Sequence, residues 1–169
     1  MPTVRLLVLA VTVSSLAGCK APEAGEPAHA LSGKPAPDFT LTALDGQSLH
    51  LAALKGKPVV LDFWATWCPP CRKLLPSIQK LHDEMGDKVA VIGVNDEDRA
   101  TVQRFVADNH VTVPQALDTD HAVSAAYGVQ GIPFTVFIDK DGNIAAVHEG
   151  IDLDHDLYAD LKAEVDKLL

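Results

Sequence analysis

Residues Val59-Val60-Leu61-Asp62-Phe63-Trp64 form a β-branched, apolar run, and Ala65-Thr66-Trp67 leads from it into Cys68-Pro69-Pro70-Cys71. Such a run reads as a buried strand. A proline at the first position of a helix costs nothing, because its missing N–H would have no partner there, so the spacing predicts a helix that starts just after Cys68. Cys71 then lies one turn on and on the same face as Cys68, close enough for the two sulfurs to bond. Cys68 itself falls at the helix N-terminus. The unpaired amides and the dipole there favour a thiolate, lowering a thiol pKa from about 8.5 to somewhere in the range of roughly 3.5–7.5.

Two other readings of the pair stand beside the redox one. Half of a zinc site needs a second Cys or His pair at ligand spacing. The only other cysteine is Cys19, and His29, His50, His82, His110, His121, His148 and His155 form no paired motif. A static structural disulfide is the other reading, but a loop this short removes little chain entropy when it is closed. Redox chemistry is the reading that spacing and context favour.

The N-terminus reads as an address. Arg5 precedes an apolar run from Leu6 to Leu16, too short for a permanent membrane span, and Leu16-Ala17-Gly18-Cys19 follows. The tetrapeptide resembles a bacterial lipobox, which implies that residues 1–18 are a signal peptide and that Cys19 becomes the lipidated first residue. An ordinary secretory signal with a chance cysteine is the alternative, and either way the chain is exported. The net charge of −9 becomes −10 when Arg5 is removed, since it is the one charged residue of that segment. An acidic surface argues against nucleic acid and anionic headgroups as partners.

Residues 19–34 are rich in Ala, Pro, Glu and Gly and read as a tether, with the folded domain expected over 35–169. Phe39-Thr40-Leu41 and Ser48-Leu49-His50-Leu51, around Asp45-Gly46, predict a hairpin. After Cys71, the spacing of Leu74, Leu75, Ile78, Leu81, His82 and Met85 predicts a helix ending at Gly86 and kinked by Pro76. Val89–Val94 reads as a second buried strand. Asp96-Glu97-Asp98 suit the start of a helix that buries Val102, Phe105 and Val106. Asp118-Thr119-Asp120 caps a short helix from His121 to Tyr127. Phe134–Asp139 is a third strand, Lys140–Asn143 a tight turn, and Ile144–His148 its antiparallel partner. A last helix, about Asp154 to Leu168, buries Leu157, Leu161, Val165 and Leu168.

Asp-Phe-Trp-Ala-x-Trp-Cys-x-Pro-Cys, with Pro76 five residues past the second cysteine, closely resembles the thioredoxin active-site strand. Gly131-Ile132-Pro133 before a strand resembles the loop that carries that family's cis-proline. The hairpin, the lipobox and Pro69-Pro70 look more specifically like membrane-anchored bacterial thioredoxins of the TlpA/ResA type, within the redoxin group. The resemblance spans roughly Lys34 to Leu169. It implies an α/β chain with the thioredoxin fold, a central mixed β-sheet flanked by helices, and an N-terminal β-hairpin extension. It also implies thiol–disulfide exchange, with a Cys68–Cys71 disulfide, Cys68 as the exposed attacking thiolate and Cys71 as the buried resolving thiol.

The same resemblance makes Asp62 a buried proton acceptor for Cys71, with a pKa above the usual carboxylate range. On residues alone, a solvent-facing strand acid is an equal reading. Glu97 is a second candidate for that proton. Ile132 and Pro133 would pair with the substrate chain, with Trp67, Pro69 and Pro70 as further contacts and Trp64 in the core. Phe134 stands where many relatives have a threonine, a departure that bears on loop detail and substrate preference. The implied protein is a periplasmic, lipid-anchored monomer without cofactor, metal or nucleic-acid partner. It reduces exported protein disulfides, in cytochrome c maturation or copper-site assembly, and a membrane thiol transporter supplies its electrons. Two other functions compete: a redoxin-type thiol peroxidase using Thr66, and a Cu(I) delivery module with His148 as the candidate third ligand beside the two cysteines.

Overall fold

A computed structural model describes residues 31–169; the expected signal peptide, Cys19 and the expected tether up to residue 30 lie outside the described residues. Packing begins ahead of Pro35. Leu31 is buried in the core, and the Gly33 amide donates to the Ile144 carbonyl at 2.7 Å. The last four residues of the expected tether are therefore part of the folded unit, because an apolar side chain and two backbone bonds to Ile144 anchor them.

Seven strands form one mixed sheet: β1 (Thr40–Ala43), β2 (Ser48–His50), β3 (Val59–Phe63), β4 (Ala90–Asn95), β5 (Gln115–Leu117), β6 (Phe134–Ile138) and β7 (Ile144–Glu149). Their order is β2-β1-β5-β4-β3-β6-β7. β3 and β4 run parallel, as do β4 and β5, while β6 is antiparallel to both β3 and β7. β1 and β2 form the expected hairpin, which joins the sheet through β5. β5 is the element that no periodicity announces: three residues following Pro114, held by a neighbour on each side rather than by their own propensity.

The helices are α1 (Pro69–Met85), α2 (Arg99–Asp108), α3 (Ala122–Ala126) and α4 (Leu157–Asp166). α1 buries Leu74, Leu75, Ile78, Leu81 and Met85, runs uninterrupted through Pro76 and ends at Gly86, whose φ is +52°. α2 is capped by Asp98, which accepts from the Thr101 amide at 3.0 Å, a contact worth about 1 kcal/mol. α4 starts later than expected, at Leu157, because Asp156 and not Asp154 caps it, accepting from the Tyr158 and Ala159 amides. Leu161 and Val165 are buried there, whereas Leu157 and Leu168 are half-buried.

Strand alternation divides the core between the two faces of the sheet. Val60, Val91 and Phe137 meet Leu74, Ile78 and Leu81 of α1 and Leu161 and Val165 of α4. Leu61, Phe63, Ile92, Val94 and Val136 face the other way, toward Val123 of α3, Phe39 and Tyr127. Tyr127 is fully buried between the rings of Phe39 and Phe63, and its hydroxyl donates to the Pro37 carbonyl at 2.9 Å.

One glycine is dictated by its neighbours. Gly93 on β4 faces Gln115 on β5, and a Cβ at Gly93 would sit 2.3 Å from Gln115 Oε1. That oxygen accepts from Trp64 Nε1 at 2.8 Å, and Gln115 Nε2 donates to the Val113 carbonyl at 2.8 Å, so the amide has no alternative place to go. Gly93→Ala is expected to lower stability by about 1–3 kcal/mol, the usual cost of overpacking or of freeing one buried polar group. The readout is the urea midpoint at unchanged slope; an unmoved midpoint would contradict this account.

Candidate active site

β3 ends at Phe63, and Trp64 continues the path inward, its indole 5.2 Å from the ring of Phe105 on α2 at a 51° tilt and held by Gln115. The chain then turns through Ala65-Thr66-Trp67 to Cys68, the N-cap residue of α1. Glu97 holds this turn. Its Oε2 accepts from the Thr66 amide at 2.6 Å and its Oε1 from the Thr66 hydroxyl at 2.7 Å. Asn95 orients Glu97 in turn, donating from Nδ2 to Oε2 at 3.2 Å and accepting the Glu97 amide at 2.7 Å.

Cys68 and Cys71 form a disulfide with Cα atoms 5.3 Å apart. The Cys71 amide donates to Cys68 Sγ at 3.2 Å, so the first sulfur already occupies the acceptor position that a thiolate would take at the helix end. The peptide bond between Ile132 and Pro133 is cis. The Ile132 carbonyl oxygen lies 3.8 Å from Cys68 Sγ, which brings the loop against the disulfide. An exposed Cys68 does not hold for this disulfide form: the residue is 2% exposed, packed with Trp64, Ala65, Cys71 and Val102 and flanked by Ile132. The large apolar side chain exposed at the site is Trp67, at 68%, and Pro69 is exposed beside Cys68. Phe134 follows the cis bond and turns into the core, its ring 5.8 Å from that of Phe63.

Asp62 lies on β3 among side chains that leave it 1% exposed. Its side-chain partner among the described residues is Thr135 on β6, whose hydroxyl donates to Oδ1 at 3.2 Å. Burial in this apolar layer disfavours the charged form and pushes the Asp62 carboxyl up to about 7, against a smaller downward pull from the Thr135 hydrogen bond. Among the described residues no group of three or more His, Cys, Asp or Glu is arranged to hold a metal ion. His148 packs its ring 5.0 Å from Phe137 and sets Nε2 3.7 Å from Glu164 Oε1.

Fold and site together define a thiol–disulfide oxidoreductase of the thioredoxin fold. The Redoxin family model matches residues 31–163, and the chain belongs to that family. It is 41% identical over 123 residues to the thiol-disulfide oxidoreductase ResA of Halalkalibacterium halodurans, covering 72% of this chain and 70% of that protein. Among solved structures, a thioredoxin-family thiol:disulfide interchange protein from Chlorobium tepidum superposes with a TM-score of 0.69 at 29% identity, over 79% of this chain and 94% of that one. The exposed lipoprotein thioredoxin Etrx1 of Streptococcus pneumoniae gives 0.67 at 29% identity, over 77% and 99% of the two chains.

Three residues that matter here drew no site reading from the sequence: Gln115, Asn95 and Thr135. Gln115 and Thr135 act through partners far away in sequence, so no local spacing marks them, whereas Asn95 acts two residues on, through Glu97, and its place in the site depends on where Glu97 reaches.

The Asp62 shift has a sign in stability. Its folded value of about 7 lies above the ordinary 3.8, so the contribution is fully present below pH 4 and is lost as pH rises through 7. Asp62→Asn, which cannot ionise, is expected to gain on the wild type across that window, by at most about 4 kcal/mol at roughly 1.4 kcal/mol per pH unit. Urea denaturation of both proteins from pH 4 to 8 checks it, and a constant difference across the range would contradict it.

Proposed function

We propose that this protein is an exported, lipid-anchored thiol–disulfide oxidoreductase that reduces disulfides in other exported proteins. The observation that carries the reading is the corner where the α1 N-terminus, the Cys68–Cys71 disulfide and the cis Ile132–Pro133 loop meet. In the dithiol state, the Cys68 thiolate attacks a substrate disulfide, giving a mixed disulfide and one free substrate thiolate. Cys71 then attacks Cys68 Sγ, restores the internal disulfide and releases the second substrate sulfur, so two electrons pass to the substrate. Asp62 takes the proton that Cys71 loses. Glu97 acts as a positioning residue that holds the turn before Cys68, rather than as the proton acceptor, since both its oxygens are engaged by Thr66.

Ile132 and Pro133 receive the substrate backbone beside the disulfide, and Trp67, Pro69 and Pro70 form the rest of the contact. Cys19 carries the lipid, as Leu16-Ala17-Gly18-Cys19 and the similarity to a pneumococcal lipoprotein thioredoxin support. Outside the cytoplasm the surroundings drive disulfides to form, so a membrane thiol transporter must return the electrons. Substrates in this reading are the cysteines of apocytochrome c or of copper-site assembly proteins, met by a monomer that needs no cofactor. The Thr66 hydroxyl donates to Glu97, which favours exchange over a peroxidase that would use Thr66 at the sulfur.

Equilibration of the Cys68/Cys71 pair with a glutathione redox series tests the direction. The reductant reading expects a potential well below that of the oxidant DsbA, about −120 mV, and nearer to thioredoxin at about −270 mV. A value close to −120 mV would contradict it.

A further inference from the structure

A row of residues crosses the sheet at Asp62: Gln115, Gly93, Asp62, Thr135 and His148 stand opposite one another on β5, β4, β3, β6 and β7. Toward β5 the row is closed. Gly93 offers no side chain, and both ends of the Gln115 amide are engaged, one by Trp64 and one by Val113. Toward β7 it opens: Thr135, which donates to Asp62, also lines a cavity of about 290 Å3 between β6, β7 and α4. His148, Glu149, Asp152 and Asp160 contribute to the same walls. A space of that size holds several waters at roughly 30 Å3 each, and these side chains give them polar partners. The His148 side chain is 35% exposed.

We propose that this cavity is the proton exit of the redox site, with Thr135 as the relay and His148 as the outer acceptor. The inference rests on the reading of Asp62 as the acceptor of the Cys71 proton. Asp62 can hand that proton back to Cys71 until it leaves, so its departure precedes the attack on Cys68 Sγ: the Asp62 O–H bond breaks as its proton moves to Thr135 Oγ1, and that hydroxyl, turned from Asp62 toward the cavity, passes its own proton to a water. The hydroxyl is restored, Asp62 returns to carboxylate, and the water delivers the proton to His148 or to solvent. No electrons move in these steps. Glu164 on α4 is the carboxylate within reach of His148, at 3.7 Å from Nε2, and Glu149, Asp152 and Asp160 line the same cavity; His155 lies 3.8 Å from Asp152 and 3.7 Å from Asp160. A proton reaching the cavity thus meets an acceptor at each step outward. Without this route, an acid that is 1% exposed has no polar path away from the site along its own row.

The test is single-turnover oxidation of the reduced protein by Ellman's reagent, in which the first thionitrobenzoate released reports attack by Cys68 and the second reports attack by Cys71. Thr135→Val is expected to leave the first release unchanged and to slow the second about 10²-fold, the low end of what positioned proton transfer contributes, with a larger solvent deuterium effect. Thr135→Ser should restore both, and His148→Gln should slow the second release alone and by less. An unchanged second release in both Thr135→Val and His148→Gln, where Asp62→Asn slows it, would overturn the exit route and leave Asp62 as acceptor. An unchanged second release in Asp62→Asn would remove the Asp62 reading and this inference together. Should Thr135→Val fail to fold, His148→Gln alone decides: a second release and solvent isotope effect equal to wild type overturns the route.

Discussion

The amides that open an α-helix have no partners inside it, and this structure spends the first of them on sulfur. Cys68 caps α1 and accepts the Cys71 amide at 3.2 Å, so the group that completes the helix is also one half of the disulfide. Much of the surrounding structure keeps that cap in place. β3 brings the chain to the helix from the centre of the sheet, Glu97 fixes the turn at Thr66, and the Trp64 indole is held between Phe105 and Gln115. Pro69, next in line, gives up an N–H that the helix end does not need.

Beneath the cap, the sheet carries a polar group where its neighbours are apolar. Asp62 is flanked on β3 by Leu61 and Phe63, both core residues, and its charge is disfavoured there. A carboxyl that titrates near neutrality is suited to exchanging a proton with a thiol, and the same burial that creates this property isolates it from water. The structure meets that isolation with a threonine on one side and a glycine on the other. Gly93 in turn makes room for Gln115, so the anchoring of Trp64 and the surroundings of Asp62 depend on one residue lacking a side chain.

Long, strongly patterned elements were legible from residues alone: the run into β3, the apolar face of α1 and the turn between β6 and β7 all carry their own signals. β5 was not, because three residues make a strand only when β4 and β1 stand on either side. The start of α4 was misplaced because Asp154 and Asp156 are equivalent caps on paper, and only the backbone path chooses Asp156. The site divides in the same way. Cys68 and Cys71 announce themselves by spacing, whereas the burial of Asp62 depends on layers packed against both faces of β3. Thr135 reads as an ordinary strand residue until register sets it opposite Asp62, and Glu97, a candidate for the Cys71 proton in sequence, becomes the holder of the turn only when folding brings it across 31 positions to Thr66. The cover over Cys68 is likewise tertiary, supplied by Val102 and the Ile132 loop.

In the proposed exchange, two cysteines one helical turn apart have unequal tasks, Cys68 forming the intermolecular bond and Cys71 ending it. Covalent trapping on a protein disulfide such as that of insulin tests it most directly, comparing Cys71→Ala with Cys68→Ala after reduction. A stable mixed disulfide through Cys68 is expected in the first variant and none in the second. Adducts that accumulate through Cys71 in the Cys68→Ala protein, with none in Cys71→Ala, would contradict it.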